Sequence, residues 1–120
     1  MAKYVDICIF PINKKNLSNY KKTTTSVGKI LLKHGALASS DYVADDKNPT
    51  MNLFPKMMKL KSNEVLIFAV AEFKSKSHLQ KVFKQMAKDP AMEKLMANNL
   101  VDRKRMVMGC FNKVVGLHKK

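Results

Sequence analysis

Residues 64–73 read Glu-Val-Leu-Ile-Phe-Ala-Val-Ala-Glu-Phe, seven consecutive apolar side chains between two glutamates. A run this rich in β-branched and aromatic residues, entered through the turn formers Ser62 and Asn63, predicts a strand. Successive side chains of a strand point to opposite faces. Here one set is Val65, Ile67, Ala69, Ala71 and Phe73, and the other is Leu66, Phe68 and Val70. A sheet covered by helices on one side alternates apolar and polar residues, and this strand does not.

The flanking chain has the same character. Residues 3–12, Lys-Tyr-Val-Asp-Ile-Cys-Ile-Phe-Pro-Ile, predict a first strand that Pro11 brings to its end. Arg103 to Leu117 predicts a last strand in which Met106, Met108 and Cys110 alternate with Val107, Gly109 and Phe111. Ala36 to Ala44 predicts a weaker one, interrupted by Ser39, Ser40 and Asp41. Between strands, Leu17, Tyr20, Thr24, Val27, Leu31 and His34 recur at helical spacing. Asn13 or Asn16 is the candidate cap of that helix, and Gly35 stops it. Leu79, Val82, Phe83 and Met86 form a second stripe behind a cap at Ser75 or Ser77. Pro90 opens a short helix carrying Met92, Leu95 and Met96. Asp45 to Pro55 is expected to be an exposed loop, with Lys56 to Leu60 extending a strand at its far side.

The order is β-α-β-β-α-β, without a linker or repeat dividing residues 1–120. The expectation is an α+β, ferredoxin-like single domain with both helices on one face of a four-stranded antiparallel sheet. Those helices hide one set of strand side chains. A bare second set would be a larger apolar patch than soluble monomers carry, so a second copy is expected to cover it, giving a homodimer through the sheet face and a dimeric α+β barrel.

Composition limits the partners. Hydrophobic residues are 46% and charged residues 27%, which suits a folded globular chain and argues against disorder. No apolar run approaches the ~18 residues that span a bilayer, and the N-terminal stretch has neither the shape nor the cleavage site of a signal peptide, so a cytoplasmic protein is expected. The formal charge is +14, but of 23 basic residues only Arg103 and Arg105 are arginines. Bidentate reading of phosphates and guanines is mainly arginine chemistry, so the dispersed lysines are read as a solvated surface, with a polyanion (RNA or DNA) module as the alternative. Cys8 and Cys110 lie in strand-like runs without a second ligand nearby, and there is no Gly-rich nucleotide loop; neither metal nor cofactor is expected.

Tyr4-Val5-Asp6, Glu72 followed by Lys74-Ser75-Lys76, Asp89-Pro90-Ala91-Met92, and Asp102 with Lys104-Arg105-Met106 before Gly109 and Phe111 together resemble the YbaA-like family of uncharacterised bacterial proteins, a domain of unknown function. The resemblance spans nearly the whole chain and implies a dimeric ferredoxin-like barrel, with no established activity. The chain departs from the family pattern at Ile7, where the family has Gly. It departs again at Asp41-Tyr42-Val43, near a Glu-Cys-Trp, and at Val101-Asp102-Arg103, in place of Phe-Asp-Gly.

Asp6 is the sharpest chemical candidate, because a carboxylate inside an apolar strand must be hydrogen-bonded, paired or protonated. With the first and third strands adjacent and antiparallel, Glu72 is expected near it. The functional expectation has Asp6 and Glu72 as acid and base in a pocket of the barrel that takes a small molecule, with Arg105 or His34 holding an anionic group and Tyr4 and Lys104 as further ligand contacts. The plainer reading has Asp6 satisfied locally and Arg105 paired with Asp102.

Overall fold

The computed structural model describes residues 2–45, 52–96 and 100–119. Four strands, β1 (Tyr4–Asn13), β2 (Ala38–Val43), β3 (Glu64–Phe73) and β4 (Val107–Asn112), form one sheet in the order β2-β3-β1-β4, every pair antiparallel. The helices are α1 (Leu17–Lys33), the single turn α2 (Phe54–Met57), α3 (Lys76–Ala87) and α4 (Pro90–Met96). Among the described residues no helix is long and apolar enough to cross a membrane.

The long strands β1 and β3 pair along their whole length, Tyr4 opposite Phe73 and Asn13 opposite Glu64. That register assigns the faces. Tyr4, Phe10, Ile12, Ile67, Ala71 and Phe73 point toward the helices and are buried there with Tyr20, Ile30 and Leu31 of α1 and Leu79, Val82 and Met86 of α3. Burial of such side chains contributes about 1.5–3 kcal/mol apiece. The opposite face carries Val5, Ile7, Ile9, Phe68 and Val70, with Tyr42, Val107 and Phe111 more than half exposed. It is apolar, as the unbroken apolar runs predict, and among the described residues no element lies across its centre.

Local signals explain most boundaries. Ser75 caps α3, its hydroxyl accepting the His78 N–H at 3.1 Å. Asn13, not Asn16, accepts a backbone N–H, that of Lys15 at 3.1 Å, and so opens a 3-10 turn over Lys14–Asn16 ahead of α1. Gly35, at φ +111°, occupies the left-handed conformation that ends α1, where a side chain would be strained.

Four expectations are corrected. Pro11 does not end the first strand: β1 continues to Asn13 with Pro11 opposite Leu66 of β3, beyond the reach of β4, whose pairing stops at Ile9. The last strand is Val107–Asn112 rather than Arg103 to Leu117: Arg103–Arg105 is a 3-10 turn, and past Asn112 the chain outruns β1, which starts at Tyr4. The last tie is the Lys113 N–H donating to the Lys3 carbonyl at 2.8 Å. Lys56 to Leu60 is not strand. Pro55 starts the helical turn α2, and Lys59, in the left-handed region at φ 53°, closes it. The second strand is Ala38–Val43, shorter than Ala36 to Ala44: the Ala36 N–H still bonds back to Leu31 of α1 at 3.0 Å, while Leu37 and Ala44 each donate one bond to β3, at 2.8 Å, just outside the paired stretch. Of the loop expected over Asp45 to Pro55, residues 46–51 lie outside the described residues.

Candidate functional site

The strongest strand also makes the floor of a cavity. On the helix-facing side of β3, Ala69 and Ala71 stand between the larger Ile67 and Phe73. Two methyl groups leave space beneath α1 that Val or Leu would fill. The hollow measures about 180 Å³. Its walls are Asp6 and Cys8 from β1, Ser39 and Asp41 from β2, and Tyr20 and Thr24 from α1. Thr24, Ser39 and Asp41 also border a larger solvent-open cleft along α1, of about 500 Å³, and Tyr20 and Met106 border another of about 460 Å³.

Two carboxylates face each other across this floor. Asp6 pairs with Ala71 and Asp41 with Ala69, from the strands on either side of β3, so two strand spacings and a two-residue offset put their Cα atoms about 12 Å apart. Asp41 is engaged: the Tyr20 hydroxyl and the Thr24 hydroxyl, the latter at 3.0 Å, both donate to its Oδ2. Tyr20 and Thr24 lie one helical turn apart and meet the same acceptor. Burial, then the bond to Asp41, pushes the Tyr20 phenol well above its ordinary pKa. Asp6 is freer. Burial raises its pKa, opposed in part by the Cys110 thiol, which donates to Oδ1 at 3.5 Å. Burial, with Asp6 nearby, pushes the Cys8 thiol up to about 11, so it stays protonated at neutral pH. The Tyr4 phenol is also raised, first by its hydrogen bond with Cys110.

The other expected site residues stand elsewhere. Glu72 pairs with Val5, and Asp6 with Ala71, so the two carboxylates project to opposite faces of the sheet. They do not form an acid–base pair. Arg105 is committed to structure: its guanidinium meets Glu64 Oε2 at 2.6 Å and donates to the Lys59 carbonyl at 3.1 Å, binding the 103–105 turn to the start of β3 and the end of α2. Its salt-bridge partner is Glu64 rather than Asp102, whose side chain caps the turn by accepting the Lys104 N–H at 3.0 Å. The Lys104 side chain is exposed. His34 ends α1 and meets Asp89 Oδ2 at 2.8 Å; a carboxylate has only acceptors, so Nε2 carries the proton. Asp89 also takes Lys33 at 3.4 Å and the Ala91 N–H at 3.0 Å, which locks α1 to the start of α4. The hydrogen bond from His34 comes first among the causes holding Asp89 below the usual carboxylate range.

Only Asp6 of the expected set therefore lines the cavity. Its companions Tyr20, Thr24, Ser39 and Asp41 first register in the sequence as helix stripe and strand interruption. The available signal is polar groups at i and i+4 on an apolar helix face, and Ser39 and Asp41 on one face of a strand.

Residues 3–103 match the family described as "Protein of unknown function (DUF1428)". The chain belongs to this family. It is 26% identical over 116 residues to the uncharacterized protein YbaA of Escherichia coli strain K12, across 94% of this chain and 97% of that protein. Among solved structures it is similar to a dimeric ferredoxin-like protein from an uncultured marine organism, at 16% identity and a TM-score of 0.61, covering 100% of this chain and 95% of the other. It is also similar to a variant of SnoaB, a cofactor-independent oxygenase from Streptomyces nogalater, at 13% identity and a TM-score of 0.60, covering 98% and 100%. At these identities the two structures establish the ferredoxin-like α+β fold and nothing about a reaction.

Proposed function

We propose that the protein is a homodimer, joined through the open faces of its sheets, that binds a ring-sized, largely apolar molecule presenting a hydroxyl or amine to Asp6. The observation that carries the ligand reading is the alanine-floored hollow. At about 180 Å³ it is close to the ~150 Å³ cavity size that accommodates benzene. Apolar walls supply affinity and a few placed polar groups supply orientation. The described residues that line it include carboxylates, hydroxyls and a thiol, and no Lys, Arg or His. That chemistry favours a hydrogen-bond donor or a cation over an anion. Asp41 already takes two hydroxyl donors on Oδ2, whereas Asp6 takes only the Cys110 thiol at 3.5 Å on Oδ1, so Asp6 is the more open acceptor for the ligand.

The dimer reading is supported by the apolar open face and by the structural neighbour described as dimeric. A lone subunit would leave Val5, Ile7, Ile9, Phe68 and Val70 facing water.

A panel of monocyclic phenols and cyclic amines, followed by amide chemical shifts, tests the ligand reading. Saturable shifts centred on Ala69 and Ala71, lost in Ala71→Leu or in the milder Ala69→Val, are expected. Absence of any such shift, or binding indifferent to both substitutions, would remove it.

A further inference from the structure

The chain beyond β4 is apolar and uncovered. After the Lys113 N–H bonds to Lys3, Val114 is 93%, Val115 72% and Leu117 90% exposed, followed by the basic His118 and Lys119. Three large aliphatic side chains in seven residues is an unusual cost to leave in water. The segment continues from the edge strand whose Val107 and Phe111 belong to the open face, so it emerges at that face's rim.

A matching receptor lies on the same face. Ile9, Tyr42, Phe54, Leu66 and Phe68 line a hollow of about 110 Å³, the size of one aliphatic side chain, with Tyr42 and Phe68 edge to face at 6.0 Å. It lies near the Ile9 end of β1, whereas β4 runs from beside Ile9 to beside Tyr4. The tail therefore leaves its own sheet heading away from its own hollow.

We propose that residues 113–119 are an arm that crosses to the second subunit and seats its aliphatic side chains in the hollow on that subunit's open face. This rests on the homodimer proposed above and specifies how it is held. Such an arm adds to the sheet contact: Val114, Val115 and Leu117, exposed in the lone subunit, would be covered together with the open face. Seven extended residues reach about 23 Å, more than the ~19 Å width of the partner's sheet.

Sedimentation equilibrium of the full chain, a chain ending at Lys113, and a Val114→Asp/Leu117→Asp double variant tests the arm. The double variant alters only solvent-exposed positions and so guards against a truncation that fails to fold. A full-length dimer whose dissociation constant rises at least tenfold in both altered chains is expected. Isotope-filtered NOEs in a mixed-label dimer should join the Leu117 methyls to Phe54 or Phe68 of the other subunit. Equal dissociation constants and no intermolecular NOE would overturn the arm while leaving the dimer standing. A monomeric full-length chain would overturn both.

Discussion

The hydroxyl of Tyr20, near the start of α1, donates to the Oδ2 of Asp41 in the edge strand β2. Together with Thr24 this bond closes one wall of the hollow and ties the first helix to the sheet beyond the reach of its apolar stripe. Tyr20→Phe leaves Asp41 with a single donor. A hydrogen bond to a charged group is worth about 1.5–3 kcal/mol, and water reaches this partly exposed acceptor. The expected cost is about 1–2 kcal/mol, seen as a Tm lower by about 4–8 °C in thermal denaturation. An unchanged Tm would mean that the bond contributes nothing to the fold.

Asp6 acts with the opposite sign. Its pKa is raised, so the folded chain holds that proton more tightly than the unfolded one. Such a group stabilises the fold below the ordinary carboxylate value and loses that contribution as pH rises through the raised value, leaving the charged form a cost at pH 7. Asp6→Asn is expected to raise Tm at pH 7 by about 2–4 °C, a modest figure because solvent screens a half-buried group, and the gain should vanish near pH 3. Paired melting curves across that range check it.

Arg105 and Glu64 carry the reverse dependence. The hydrogen bond from Arg105 holds the Glu64 carboxyl below its usual range, so the stabilisation is present above the ordinary glutamate value and is lost as pH falls through the lowered one. Arg105→Met is expected to cost about 1–2 kcal/mol at pH 7, above the usual worth of an exposed pair because this one is partly buried and hydrogen-bonded. Urea titrations of the two proteins should converge below about pH 4.

Ile7 lies between Val70 and Gly109 at the middle of the open face. Ile7→Asp places a charge where the proposed partner packs, without touching the helix-side core. Velocity sedimentation is expected to show monomer with an unaltered circular dichroism spectrum. A variant that remains dimeric would exclude the sheet face as the interface.

The fold was legible where one strand's chemistry was self-sufficient. Glu64–Phe73 is strand to the residue, and its two apolar sets announce both the core and the bare face. The last strand was overdrawn because Val114, Val115 and Leu117 have strand-like side chains, whereas a strand ends where its neighbour does, at Tyr4. Phe54–Met57 takes the helical turn that its proline starts, against the expectation of loop up to Pro55 and strand over Lys56 to Leu60. The site was less accessible for a geometric reason. Whether Asp6 and Glu72 share a face depends on a register that, shifted by one residue, reverses the answer, and no local signal sets it. Tyr20 and Asp41 are 21 residues apart and meet only once the helix lies on the sheet.

The alanines at 69 and 71 sit on a strand hydrogen-bonded along both edges, so the backbone beneath the hollow is held by its neighbours rather than by whatever fills the space above. Exchanging those two side chains for bulkier ones alters the depth of the chamber while leaving the scaffold undisturbed. Selectivity for guests of different bulk is thereby open to adjustment in small steps, independently of the groups that hold the molecule together.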